Sequence, residues 1–144
     1  MSHKQEHIYA YFAGFLDADG SIYVRAKPNI SYRYGYQVAP YIAFFQSGSC
    51  KDFPALCESM GCGSLRLRKD GIYEFTIARK DEILSFLDRV EPYLQLKKKQ
   101  ALLLRDILVC KEKVSSQKDF SVLLAKIDSF RELNYSKKRK KVIP

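Results

Sequence analysis

The spacing of apolar residues near the start of the chain predicts a helix with two unlike faces. Bulky apolar side chains recur at helical spacing on one side, at Ile8, Phe12, Phe15 and Leu16. Small residues and one carboxylate recur on the opposite side, at Ala10, Ala13, Gly14 and Asp17. A face of Ala and Gly allows a second backbone to approach closely, and Gly20 suits the end of a helix. The pattern predicts either a helix enclosed between two bodies, with Asp19 at its tip, or an ordinary buried helix with an exposed Asp.

After Gly20 the apolar period becomes two, which is typical of strands. Two strands are predicted near 21–27 and 36–46, then a short helix over 52–60. Gly71 marks a hairpin turn between strands at 64–69 and 72–78, with Leu65 and Leu67 facing the core. The outward positions of the four strands are mostly basic or hydrogen-bonding: Arg25, Lys27, Gln37, Arg66, Arg68, Glu74 and Thr76.

Three helices complete the predicted pattern. They cover about residues 81–90, with Asp81 as N-cap, then 97–111 and 120–133, and a basic run follows at 137–141. That run is consistent with a solvated tail, a phosphate contact or a nuclear address. The order predicts an α+β fold in which helices back a four-stranded antiparallel sheet. At 144 residues we expect a single domain over 1–144, with a basic tail from about 135.

The net charge of the chain indicates the class of its binding partner. The formal net charge of +9 favours a polyanionic partner, nucleic acid before an acidic membrane surface. The content of 47% hydrophobic residues argues against a disordered chain. We expect an intracellular protein without membrane association, because no apolar run reaches spanning length and the N-terminus lacks a signal-peptide core. The four cysteines form no CxxC pair, and no GxGxxG or Walker loop is present, so we predict neither a zinc site nor a small-molecule cofactor.

The predicted two-stranded ribbons have the dimensions of the DNA major groove. Arginine favours guanine edges and glutamine favours adenine edges, whereas lysine mostly contacts phosphate. The candidate base-reading residues are Arg25, Gln37, Arg66 and Arg68. A basic structural protein with weak binding, indifferent to sequence and to magnesium, is the alternative of a different class.

The segment Phe12-Ala13-Gly14-Phe15-Leu16-Asp17-Ala18-Asp19-Gly20 resembles the signature motif of the LAGLIDADG homing endonucleases. The similarity to the single-motif, algal-organelle subgroup continues in the same register. It includes Ser21-Ile22, Lys27-Pro28-Asn29 with Ser31-Tyr32, Gln46, the segment 92–101, and Leu133-Asn134 with Ser136-Lys137. One departure is Cys50-Lys51, where relatives often carry an arginine.

This resemblance implies the αββαββα fold and a metal-dependent endonuclease that cuts a long near-palindromic double-stranded DNA site. With a single motif the chain is expected to form a homodimer, joined through Ala10, Ala13, Gly14 and Asp17. The implied catalytic residues are Asp19, Gln46 and Lys97. The implied metal is Mg²⁺ (or Mn²⁺ or Ca²⁺), held by Asp19 and the carbonyl of Ala18.

The strand pattern, the basic run and the resemblance together give the predicted DNA-binding residues: Arg25, Lys27, Asn29, Ser31, Tyr32, Gln37, Arg66, Arg68, Glu74, Thr76, Lys137 and Arg139. The subgroup also suggests a location in a chloroplast or mitochondrion. Two alternatives of the same fold are an RNA maturase and a non-cleaving sequence-specific DNA-binding protein.

Overall fold

The structure, a computed structural model, describes residues 3–134, without the side chains of residues 3, 4 and 131. Its helices are α1 (His3–Asp19), α2 (Phe53–Glu58), α3 (Lys80–Val90), α4 (Lys98–Glu112), α5 (Gln117–Asp128) and α6 (Phe130–Leu133), with a 3-10 turn at Glu91–Tyr93. Its strands are β1 (Ser21–Pro28), β2 (Tyr36–Ser47), β3 (Ser64–Leu67) and β4 (Ile72–Ile77). This order confirms the predicted αββαββα arrangement with additional C-terminal helices.

The four strands form one sheet in the order β1-β2-β4-β3. Strand β4 pairs antiparallel with β2, from Ile42 opposite Ile77 to Ser47 opposite Ile72. It also pairs antiparallel with β3, its partner in the second hairpin. Gly71 closes that hairpin at a φ of 83°, a conformation that glycine adopts without steric cost. The α+β fold is therefore confirmed.

The chain divides into two compact units, of which the first comprises Met1–Ile22 and Tyr41–Lys98. Its core is aromatic. The ring of Phe12 on α1 meets Phe44 of β2 edge-on at 5.3 Å, and Phe44 lies 6.0 Å from Phe75 of β4. Phe86 of α3 completes the cluster, 6.0 Å from Phe44. Because Phe12 is fully buried, this cluster fixes the rotation of α1 on the sheet.

The second unit comprises Tyr23–Pro40 and the chain from Lys99 onward. Its core includes Leu104 of α4 and Leu123 of α5, both fully buried. The ring of Phe120 stacks on Tyr34 at 5.1 Å and lies 6.0 Å from Tyr36, so α5 packs against the start of β2 and the loop before it. The prediction of a single domain stays a prediction.

Two local predictions are wrong. The N-cap of α3 is Arg79 and not Asp81, and the helix begins at Lys80, one residue earlier than predicted. The side chain of Arg79 makes no cap hydrogen bond. Asp81 instead pairs with Arg79 at 3.2 Å. Leu67 is 57% exposed, at the end of β3, which is a short strand at the edge of the sheet. Among the described helices, none is long and apolar enough to cross a membrane.

Candidate active site and nucleic-acid interface

A groove of about 480 Å³ brings predicted site residues together in the first unit. Its lining combines the small positions of α1, two aromatic rings, and two polar side chains: Ala10, Gly14, Tyr11, Phe15, Asp19 and Gln46. Asp19 belongs to the last turn of α1, and Gln46 lies near the end of β2, where it is paired with Tyr73 of β4. Two of the three predicted catalytic side chains therefore open into one groove, beside the predicted dimer surface.

The exposed face of α1 is rotated from the predicted one by about one residue step, or roughly 100°. Gly14 is exposed, and a Cβ built on it meets no atom within 4 Å. Ala13 is fully buried by its own chain, so its prediction as a dimer-interface residue is wrong. The residues exposed around Gly14 are Ala18 and Tyr11, the latter 54% exposed. Tyr11 lies one turn from Gly14 and shares this exposed face with it, and the pattern of small residues did not single it out.

Asp17 is also turned away from the predicted interface. Its Oδ2 accepts a hydrogen bond from the backbone N–H of Gln95 at 2.7 Å, and its Oδ1 accepts one from the backbone N–H of Lys97 at 2.9 Å. Both carboxylate oxygens are thus occupied by the segment that follows the 3-10 turn. The prediction that this side chain faces a partner subunit is wrong, because its own chain binds it.

Lys97 reaches the C-terminal end of α1. Its Nζ donates to the carbonyl oxygens of Leu16 at 2.8 Å and Gly20 at 2.5 Å. The carbonyl of Leu16 also accepts the backbone N–H of Gly20 at 3.1 Å. Carbonyls at the C-terminal end of a helix carry partial negative charge, so they attract a cation. Partial burial lowers the pKa of Lys97, and the carboxylates of Asp17 and Asp19 oppose that shift. The ammonium is therefore held beside the predicted metal carboxylate by backbone atoms of the motif itself.

Asp19 offers one exposed carboxylate at the helix tip, next to exposed Ala18. Within residues 3–134 no group of three or more His, Cys, Asp or Glu side chains could hold a metal ion. A carboxylate with a helix-end carbonyl is suitable oxygen chemistry for Mg²⁺ or Ca²⁺, as part of a ligand set completed from outside this chain. The Oε1 of Gln46 accepts from the backbone N–H of Ser47 at 2.9 Å, which directs its amide NH₂ elsewhere.

The second unit contains six of the ten predicted DNA-binding residues that the structure describes. Arg25 and Lys27 are exposed on β1, and Gln37 is partly exposed on β2. In the connecting loop, Asn29 Oδ1 accepts from the backbone N–H of Ser31 at 3.0 Å and from its hydroxyl at 2.6 Å. This Asx turn orders the loop, in which Tyr32 is 45% exposed.

The predicted DNA-binding residues of the first unit lie on the second hairpin. Arg66 forms an ion pair with Glu74 at 2.5 Å, across the pair of strands. Arg68 pairs with Asp70 at 2.8 Å and lies over the ring of Phe45, with its guanidinium carbon 6.0 Å from the ring centre. Thr76 is partly exposed on β4. Lys137 and Arg139 lie outside the described residues.

Comparisons with known proteins agree with this arrangement. The chain is 37% identical over 118 residues to DNA endonuclease I-CvuI of Chlorella vulgaris, a match that covers 81% of this chain and 71% of the relative. It is 33% identical over 135 residues to DNA endonuclease I-CreI of Chlamydomonas reinhardtii, covering 90% and 80% of the two chains.

A crystal structure of I-CvuI bound to the I-CreI target in 2 mM Mg, with the DNA not cleaved, is similar to this fold at a TM-score of 0.89 and 29% identity. The similarity covers 96% of this chain and 89% of that one. A second structure of I-CvuI, with its own target, was obtained in 2 mM Ca, so divalent ions accompany DNA in both. The family model described as LAGLIDADG endonuclease matches residues 12–110, which span the motif helix, the sheet and the segment around Lys97. The chain therefore belongs to the LAGLIDADG endonuclease family.

Proposed function

We propose that this protein is a site-specific DNA homing endonuclease that acts as a homodimer and cuts both strands of a long near-palindromic site, promoting intron mobility. The observation that carries the proposal is the groove in which Asp19 and Gln46 open beside Gly14. Family membership supports the chemistry, and the DNA-bound structures of a similar endonuclease support the substrate. Resemblance to the algal-organelle subgroup supports a chloroplast or mitochondrial location.

The dimer follows from the contents of the groove. One chain supplies one Asp19 carboxylate, whereas a double-strand break needs two reacting phosphates. A closed symmetric interface uses the same patch on both subunits. A two-fold axis through the exposed face of α1 around Gly14 therefore places a second copy of each groove residue, from the partner subunit, beside the first. The absence of a side chain at Gly14 then permits close helix approach. Each subunit reads one half-site, which makes the target near-palindromic.

The residues of the groove have complementary roles in phosphodiester hydrolysis. The carboxylate of Asp19 and the carbonyl of Ala18 would hold Mg²⁺, with DNA oxygens and the partner's equivalents completing the ligands. Such an ion supplies charge stabilisation at the phosphate and a more acidic water. Gln46 orients the attacking water through its amide. Lys97 presents a cation toward the charge that develops on the phosphate, and its lowered pKa makes proton exchange with that water easier.

Sequence reading is assigned to the exposed side chains of the strands. Arg25 and Gln37 in the second unit, and Arg66 and Arg68 in the first, have the donors that distinguish guanine and adenine edges in the major groove. Glu74 accepts from Arg66 and so limits the directions in which that guanidinium can point. The exposed ammonium of Lys27 and the ordered loop around Asn29 suit phosphate contacts, which position the protein without reading sequence.

The decisive experiment selects a site from a randomised DNA library with Mg²⁺ and then tests Asp19→Asn on that site. We expect discrete double-strand cuts by the wild type. Asp19→Asn should reduce the single-turnover rate by at least about a thousandfold and leave the dissociation constant in EDTA within a few fold. The matched control is Asp106→Asn, which alters a carboxylate of α4 that pairs with Lys126.

Three outcomes would contradict parts of this proposal. Specific binding without any wild-type cleavage would identify a non-cleaving DNA-binding protein. Preference for structured RNA over duplex DNA would favour a maturase. An active Asp19→Asn variant would show that the metal site lies elsewhere.

A further inference from the structure

Asp17 belongs to the motif helix, yet its carboxylate has no place in the proposed groove. The residues that line the groove include its neighbours Phe15 and Asp19 but not Asp17. Its two oxygens instead receive the backbone N–H groups of Gln95 and Lys97, at 2.7 and 2.9 Å, 78 and 80 residues away in sequence. A carboxylate that accepts two backbone N–H groups forms charge-assisted bonds, which are shorter and stronger than neutral ones.

The same short segment makes a second attachment in the opposite direction. The Nζ of Lys97 returns to α1 and donates to the carbonyls of Leu16 and Gly20, on either side of Asp17. Lys97 is therefore fixed at both ends, its backbone by the side chain of Asp17 and its ammonium by the backbone of the helix. We name these four hydrogen bonds, to Gln95 N, Lys97 N, Leu16 O and Gly20 O, the lysine clamp.

We propose that Asp17 is a positioning residue that fixes Lys97 at the active site through the lysine clamp, and not a dimer-interface residue. This inference rests on the proposed endonuclease function. Without Asp17, the backbone of Gln95 and Lys97 loses its two hydrogen bonds to α1, and of the clamp only the bonds of the flexible lysine side chain remain. Since a lysine side chain has several rotatable bonds, its ammonium then occupies many positions, and the productive one becomes a minor fraction.

Asp17 also acts on the charge of Lys97. Its carboxylate raises the pKa of Lys97 against the effect of burial, which is the larger of the two. Replacing Asp17 by Asn removes that opposing charge, so the pKa of Lys97 should fall further. The amide oxygen can still accept from one backbone N–H, whereas the NH₂ group cannot accept from the other. The variant thus keeps the size of the side chain and loses one bond of the clamp and the charge.

The test measures single-turnover cleavage of the selected DNA site against pH for the wild type, Asp17→Asn, Lys97→Met and the double variant. We expect Asp17→Asn to cut at least tenfold more slowly, with the DNA dissociation constant in EDTA within threefold of the wild type. Lys97→Met should abolish the limb of the rate-against-pH profile that reports the titration of Lys97. In Asp17→Asn the same limb should move to lower pH. The double variant should be no slower than Lys97→Met alone, since both changes remove the same function.

The matched control is Asp119→Asn, which alters another carboxylate that accepts a backbone N–H, that of Ser115 at 3.1 Å near the start of α5. It should lower thermal stability as a lost helix-terminal bond does and leave the pH profile of cleavage in place. A role confined to folding predicts that Asp17→Asn behaves like this control, which would overturn the proposal. Multiplying rate losses in the double variant would overturn it as well.

Failure of this inference can be told from failure of the proposed function. If the wild type cuts the site and Asp17→Asn cuts it equally fast, only the positioning role is wrong. If the wild type cuts no DNA, the endonuclease function fails and the positioning role of Asp17 in that reaction fails with it. Amide hydrogen exchange then still decides whether the clamp exists in the protein, because at least one of the N–H groups of Gln95 and Lys97 should lose protection in Asp17→Asn, whereas neither should in Asp119→Asn.

Discussion

The glycine at position 14 is predicted to weaken the folded subunit and to strengthen the dimer. The substitution Gly14→Leu should therefore change subunit stability and dimer affinity in opposite directions. The position is exposed in the middle of α1, and a Cβ built there meets no atom within 4 Å. Glycine is unfavourable in a helix interior relative to alanine or leucine. Gly14→Leu should therefore stabilise the isolated subunit by about 0.5–1 kcal/mol, a rise in melting temperature of roughly 2–4 °C for a chain of this size.

The same leucine should weaken the proposed dimer. Overpacking a close interface costs about 1–3 kcal/mol for each intruding side chain. A two-fold axis doubles this to about 2–6 kcal/mol, which raises the dimer dissociation constant at least about thirtyfold. Gly14→Ala, with its smaller side chain, should weaken the dimer less.

Two measurements check the predicted rise in subunit stability and the predicted rise in the dimer dissociation constant. Sedimentation velocity over a range of concentrations gives the dimer dissociation constant, and urea unfolding at a concentration where the wild type is monomeric gives the stability of the subunit. The control is Ser121→Leu, which places a leucine on the exposed surface of α5. An unchanged dimer constant in Gly14→Leu would refute the close helix approach. A destabilised monomer would refute the exposure of Gly14 on which the reasoning depends.

Two further predictions concern DNA contacts and thiol chemistry. Lys27→Ala should lower the slope of log affinity against log salt by about one on every sequence, whereas Arg66→Ala should cost about 1–3 kcal/mol on the selected site and relax choice at one base pair; equal losses on all sequences for Arg66→Ala would contradict its reading role. Burial raises the pKa of the Cys57 thiol from 9.0 to about 11. Its thiolate fraction at pH 8 is then about one hundredth of the ordinary value, so iodoacetamide followed by mass spectrometry should modify it at least about a hundredfold faster in urea than in the native protein.

Much of the fold could be predicted from the sequence because periodicity and burial agree there. The alternation of Ile22, Val24 and Ala26 with Arg25 and Lys27 matches their burial in β1. The glycine at position 71 indicated the hairpin correctly, because the turn requires a positive φ there and glycine, which has no Cβ, adopts it without steric cost. Such elements are determined by local geometry, which spacing along the chain reports directly.

The two corrected residues of α1 required information from elsewhere in the chain. A small residue suits a helix that packs closely on its own sheet as well as one that packs on a partner helix, and at Ala13 its own chain covers the position. Asp17 shares helical spacing with Ala10 and Ala13, yet two backbone N–H groups some 80 residues later determine where its carboxylate points. Helical spacing shows which residues share a face, but it does not show what covers that face.

The lysine clamp also bears on how the protein is made. The carbonyls of Leu16 and Gly20 are synthesised 81 and 77 residues before the lysine that binds them. Contacts of such long sequence separation form late, because the intervening chain must first lose its conformational freedom. A nascent chain on the ribosome therefore carries the complete motif helix long before it carries an organised active site. The cell is thus exposed to DNA-cutting activity only from chains whose first unit has been fully synthesised and folded.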